Sequence, residues 1–70
     1  MNLKRYRINS PTMALFPENG YHGARPVPAG SVVVVDEDLF NENRLVQVLL
    51  NEKNVMMFAQ DVRTRGEKID

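Results

Sequence analysis

Cysteine and tryptophan are absent from this 70-residue chain, and histidine occurs once. Disulfide bonds are therefore excluded, and a structural zinc site has too few of its usual ligands to form. The lack of cysteine fits a reducing compartment. No apolar run approaches the roughly 20 residues that a membrane-spanning helix needs. We therefore expect no metal, no cofactor and no membrane partner.

Net charge is also lacking, because nine Lys and Arg residues balance nine Asp and Glu residues. Strong non-specific binding to nucleic acid requires cations that neutralise phosphates, so the neutral total argues against it. The basic residues near the start, Lys4, Arg5 and Arg7, are not followed by an apolar stretch. A secretory signal peptide would have one there. We predict a soluble, cytoplasmic protein.

The length allows a single domain, residues 1–70. A domain of this size buries only about 60% of the surface that its unfolded chain exposes. Its stability is then expected to be roughly 3–5 kcal/mol unless something cross-links or pairs it. Because disulfides and zinc are excluded, oligomerisation is the remaining source of additional stability.

Two apolar runs, residues 31–36 and 45–50, organise the predicted fold. The first contains four consecutive valines, and β-branched side chains favour strands over helices. The polar loop 51–54 links the second run to a third, residues 55–58, as expected for a hairpin. Alternate residues of a strand point to one face, so we predict that five residues form the core: Val33, Val35, Val46, Val48 and Met57.

The remaining segments are short and rich in breaks. Residues 3–8 and 12–16 are predicted strands, residues 17–20 a turn, and residues 21–26 an irregular excursion containing Gly23 and Pro26. Residues 27–30 suit a type I turn. Residues 59–63 suit one 3₁₀ turn, and residues 67–69 a final strand with Ile69 inward. Phe40 is expected to pack under the sheet edge. The fold class is therefore all-β: a small barrel of about five short strands with one 3₁₀ turn before the last strand.

This order of elements resembles the SH3-like small barrel. The resemblance rests on the turn at residues 28–30 that enters the valine strand, the tight loop 51–54, and Ala59-Gln60-Asp61-Val62 before the last strand. Residues 28–62 are also similar to short, uncharacterised bacterial proteins, which implies no activity. Peptide-binding SH3 domains present an aromatic groove, usually with tryptophan, to proline-rich ligands. Here Tyr21 is the aromatic residue that is placed for such a groove.

Catalytic and metal-binding patterns are weak. His22 is the only conventional general base, and a nucleophilic site would also need a positioned nucleophile and an orienting third group. The acidic run Asp36-Glu37-Asp38 lacks the alternating spacing and the glycine of a calcium loop. We interpret it as a solvated turn and predict that the protein is not an enzyme.

The favoured hypothesis is a protein-interaction module that self-associates. Alternating residues of the valine strand and of residues 55–58 leave apolar side chains on a second face, which a partner or a loop must cover. The partner itself is not identified by the sequence. The candidate contact residues are Tyr21, His22 and Arg25 in the excursion, and Gln47, the one polar position of its strand.

The alternative hypothesis is binding of RNA or single-stranded nucleic acid. If the two termini lie close together, basic residues from both would form one patch, with an aromatic residue available for base stacking. The candidate contacts are Lys4, Arg5, Tyr6, Arg7, Arg63 and Arg65. This hypothesis requires an exposed Tyr6 and arginines that are not paired with acids.

Overall fold

The computed structural model describes residues 1–40 and 42–69. Seven strands and two short helices follow one another in this part of the chain. The strands are β1 (Leu3–Ile8), β2 (Thr12–Glu18), β3 (Tyr21–Val27), β4 (Val32–Asp36), β5 (Leu45–Leu50), β6 (Lys53–Phe58) and β7 (Gly66–Lys68). A 3₁₀ helix, Glu37–Leu39, follows β4, and the helix α1 (Ala59–Arg65) lies between β6 and β7.

All seven strands belong to one antiparallel sheet in the order β3-β2-β6-β5-β4-β1-β7. The all-β class is therefore correct. The expectation of about five strands in a barrel was wrong, because the sheet has seven strands and is not closed. Its two edges are β3 and β7.

The predicted excursion at residues 21–26 is instead the edge strand β3. It pairs with β2 over the whole strand, from Thr12 opposite Val27 to Glu18 opposite Tyr21. The turn between them is Asn19-Gly20, with φ of 45° and 86°. Because both values are positive, this is a type I′ turn, whose backbone twist matches the twist of the two flanking strands. The turn chemistry therefore outweighed the glycine and proline content of the strand that follows it.

The β5–β6 hairpin has the same geometry with less favourable residues. Leu50 pairs with Lys53, so the turn contains only Asn51 and Glu52, with φ of 50° and 68°. The prediction of a hairpin at residues 51–54 was thus correct, but residues 53 and 54 belong to β6 rather than to the loop.

The turn before β4 also differs from prediction. Ser31 donates its N–H to the Pro28 carbonyl, and Gly30 at the third position has φ of 94°, as in a type II turn.

One face of the sheet encloses the core, and all five predicted core residues lie in it. Val33, Val35, Val46, Val48 and Met57 are each at most 1% exposed. The predicted packing of Phe40 is also confirmed. Its side chain is 9% exposed, and its ring meets Tyr6 edge-on at 5.8 Å between centroids.

The segment after β6 is an α-helix of seven residues rather than one 3₁₀ turn. Its buried residues, Ala59 and Val62, are three positions apart and lie on the face that meets the sheet. Thr12 anchors the helix by donating to Asp61 at 3.0 Å. At its end, a Cβ on Gly66 would lie 2.4 Å from the Val62 carbonyl, so only glycine fits there. Within the described ranges, no helix is long and apolar enough to cross a membrane.

Candidate functional site

The side of the sheet that faces away from the core, which we call the outer face, is unusually apolar. It consists of the outward positions of β1, β4, β5, β6 and β2. Their apolar members are Leu3, Met13, Leu15, Val32, Val34, Leu45, Leu49, Met56 and Phe58. In monomeric proteins, contiguous apolar patches of this kind usually mark an interaction site.

Cross-strand pairing brings these side chains together. Val34 lies opposite Leu49, Leu45 opposite Phe58, and Leu15 opposite Met56. Several are substantially exposed, including Leu49 at 41% and Phe58 at 46%. A shallow depression of about 330 Å³ is lined in part by Leu3, Val34 and Leu49. Apolar side chains therefore occur on the outer side of five neighbouring strands, although polar and charged outward residues lie among them.

Polar groups lie within and beside the patch. Gln47 is exposed between Asp36 on β4 and Met56 on β6, as predicted for the one polar position of its strand. Asp36 accepts from the backbone N–H groups of Asn2 and Asp38, at 3.0 Å and 3.1 Å. The hydrogen bond from Asn2 is the main reason why the pKa of Asp36 is lowered. The outer face thus combines apolar side chains with polar groups near its centre, which can orient a partner.

The other three predicted interaction residues lie on the edge strand β3, next to β2. Tyr21 is 60% exposed, and His22 is exposed beside it. Arg25 forms an ion pair with Glu18, and its guanidinium lies 5.8 Å from the centroid of the Phe16 ring. These residues therefore belong to the edge strand of the sheet rather than to the irregular excursion that was expected.

The residues proposed to contact nucleic acid do not form the expected stacking surface. Tyr6 is 8% exposed and donates its hydroxyl to Glu37 at 2.5 Å. Burial and this hydrogen bond raise the pKa of Tyr6 to about 12. A tyrosine in this position cannot stack on a base. The nucleic-acid hypothesis requires an exposed Tyr6, and this requirement is not met.

Several of the basic side chains are engaged within the chain. Arg7 lies 3.9 Å from Glu67, and Arg65 lies 3.9 Å from Asp61. Arg63 donates to the Phe40 carbonyl at 3.3 Å and lies over the ring of the same residue. The two ends of the chain do lie close together, because β1 near its start pairs with β7 near its end. The termini are therefore close together, but Arg7, Arg63 and Arg65 each contact another group of the chain.

The acidic turn is a structured element rather than a solvated loop. Asp36 caps the 3₁₀ helix, and Glu37 accepts from Tyr6 and lies 3.3 Å from Lys68. The hydrogen bond from Tyr6, followed by Lys68, lowers the pKa of Glu37. Among the described residues, no group of three or more His, Asp or Glu side chains could hold a metal ion.

The candidate contacts chosen from the sequence include Gln47, Arg5 and Arg7 of the outer face but none of its exposed apolar side chains. The missing members include Leu3, Met13, Leu49 and Phe58. A signal for two of them was present, since Leu49-Leu50 and Met57-Phe58 place large apolar residues on both faces of a strand. The position of Met13 beside the others depends on the pairing of β2 with β6.

Comparison with known proteins adds no relative. A scan against protein-family models, a search of curated proteins and a search of solved structures each gave no match to the chain.

Proposed function

We propose that this chain is a non-enzymatic protein-interaction module that self-associates through its outer face. The observation that carries the proposal is that each of five neighbouring strands places a large exposed apolar side chain on the outer face: Met13, Phe58, Leu49, Val32 and Leu3. Each large apolar side chain left in water forgoes about 1.5–3 kcal/mol of burial. A second copy would cover these side chains with an identical apolar surface.

The size of the outer face indicates a weak association. It offers about 15 outward positions, whereas a standard interface uses about 20–30 residues on each side. A twofold contact between two outer faces is self-complementary, because each apolar residue meets the same patch on the partner. We therefore expect a concentration-dependent dimer contact rather than an obligate one.

Sedimentation equilibrium tests the proposal with matched charge variants. Leu49→Lys combined with Phe58→Lys, called the outer-face variant, places two charges in the patch and should lower the average mass at every concentration. Asn9→Lys combined with Thr64→Lys adds the same charge at exposed positions elsewhere and should retain the wild-type mass. Equal masses for wild type and the outer-face variant would contradict the proposal, as would a wild-type chain that is monomeric at millimolar concentration.

Nucleic-acid binding is not favoured by the geometry. It would require base stacking by a tyrosine that is buried against Phe40 and bonded to Glu37. The neutral net charge adds no general attraction to phosphates.

A further inference from the structure

The edge strand β3 carries unpaired backbone groups in a regular pattern. Its one neighbouring strand is β2. Glu18 and Tyr21 flank the two-residue turn and therefore form a hydrogen-bonded pair. Such pairs alternate with non-hydrogen-bonded pairs along an antiparallel ladder. His22, Ala24 and Pro26 thus direct their backbone groups away from β2, toward the free edge.

The two edges of the sheet differ in how well they are protected. The edge strand β7 has three residues and carries Glu67 and Lys68, and natural proteins commonly protect edges with short strands and charges. In contrast, β3 has seven residues. Its only backbone protection is Pro26, which lacks an N–H group. The backbone of His22 and Ala24 remains available to another strand.

We infer that β3 pairs with β3 of a second copy, antiparallel about a twofold axis at Ala24. Ala24 is the central residue of the strand Tyr21–Val27, so the entire strand is used. Ala24 would exchange two hydrogen bonds with its counterpart. His22 would donate to the partner's Pro26 carbonyl, twice by symmetry. Pro26 cannot donate in return, which gives four hydrogen bonds across the new ladder.

Side-chain size and charge favour this register. It places Gly23 opposite Arg25 of the other copy in a non-hydrogen-bonded pair, where side chains approach closely. A Cβ on Gly23 would meet the Glu18 carboxylate at 2.5 Å, so this carboxylate occupies the space above Gly23. Each Arg25 would then reach Glu18 of the opposite copy, in addition to its own. The central pair, Ala24 with Ala24, is small enough to cause no clash.

This contact goes beyond the proposed function, because it uses the sheet edge and leaves both outer faces free. Edge pairing would join the two sheets into one continuous sheet and bring the two outer faces onto the same side. The arrangement needs no residue of the outer-face patch, so the two contacts can be tested independently.

Sedimentation equilibrium in the outer-face variant isolates the edge contact. We expect that variant to remain a dimer and to become a monomer when Ala24→Pro is added. Ala24→Pro removes an N–H that points away from β2, and Pro26 already lacks such a group. The hairpin formed by β2 and β3 should therefore still fold, which circular dichroism checks. An unchanged dimer after Ala24→Pro would overturn the inference, as would an outer-face variant that is monomeric while wild type associates. If wild type and the outer-face variant have equal dimeric masses, the outer-face proposal fails and the edge contact stands.

The register is tested by nuclear magnetic resonance on a mixture of labelled and unlabelled chains. The non-hydrogen-bonded pair predicts an intermolecular contact between the Hα atoms of Gly23 and Arg25. Glu18→Arg should weaken dimerisation by roughly 2- to 30-fold, as expected for loss of two exposed ion pairs. Adding Arg25→Glu to Glu18→Arg should restore it. A dimer without the Gly23–Arg25 contact, or a double variant as weak as the single one, would overturn the proposed register.

Discussion

At the scale of single residues, the burial of Tyr6 removes the aromatic side chain of the basic segment 4–7 from the protein surface. Tyr6 faces the core between Arg5 and Arg7, and its hydroxyl is satisfied by Glu37. The same carboxylate lies 3.3 Å from the Lys68 ammonium. Glu37 therefore links β1 and β7 to the 3₁₀ helix, and its charged form is favoured in the folded protein.

The stability of the protein should depend on Glu37 at acidic pH. Because its pKa is lowered by folding, its contribution is present above the unfolded value of about 4.3 and is lost as pH falls through the folded value. Glu37→Gln should reduce stability at pH 7 and flatten the acid dependence. The control is Glu67→Gln, an exposed carboxylate at 3.9 Å from Arg7. Thermal melts across pH would contradict this assignment if both variants showed the wild-type acid slope.

At the scale of elements, the two type I′ hairpin turns show how local backbone geometry competes with residue choice. Asn19-Gly20 has the preferred sequence for this turn. Asn51-Glu52 places a glutamate at φ of 68°, a region that costs a residue with a Cβ about 1–2 kcal/mol. The pairing of β5 with β6 over six residues stabilises the hairpin despite this strain.

Substituting the second residue of each turn should change stability in opposite directions. Glu52→Gly should stabilise the protein by about 0.5–1 kcal/mol, because glycine adopts positive φ without the Cβ penalty. Gly20→Ala should destabilise it by a similar amount. A Cβ there would have nothing within 4 Å, so the effect arises from the backbone alone. A shift of about 4–8 °C per kcal/mol is expected in thermal melts; a lower midpoint for Glu52→Gly would contradict the explanation.

At the scale of the whole molecule, one core supports the entire sheet. Buried side chains from six strands, from α1 and from Phe40 form a single cluster. Because a domain of this length has a stability of only roughly 3–5 kcal/mol, it has little tolerance for a charge in that cluster.

Adjacent residues of β5 provide a matched test of this dependence. Val48 is 1% exposed, so Val48→Asp would bury an unpaired carboxylate. The variant should therefore be unfolded and show no cooperative melting transition. Gln47→Asp introduces the same group one residue earlier, on the outer face, and should leave the fold intact. Circular dichroism and thermal melts distinguish the two. A Val48→Asp variant that melts at the wild-type temperature would show that this face is not the core.

The amino-acid sequence by itself determined the inward residues of β4 and β5 and the hairpin between β5 and β6. Alternate residues of a strand point to the same face, so burying Val33 and Val35 fixes which face of β4 meets the core. Val46 and Val48 fix the inward face of β5 in the same way. Local turn residues likewise specify where the chain reverses, as at residues 19–20. These properties depend on neighbours in sequence, so they can be predicted from it.

Only the tertiary structure decided which surfaces remain uncovered. The outer-face patch depends on β2 lying beside β6, and the free edge depends on β3 having no second neighbour among the described strands. The partnership of Tyr6 with Glu37 joins residues 31 positions apart, and α1 forms because Ala59 and Val62 pack on the sheet. These contacts are non-local: their free energy comes from burial and hydrogen bonding between distant segments, and no short sequence pattern encodes it.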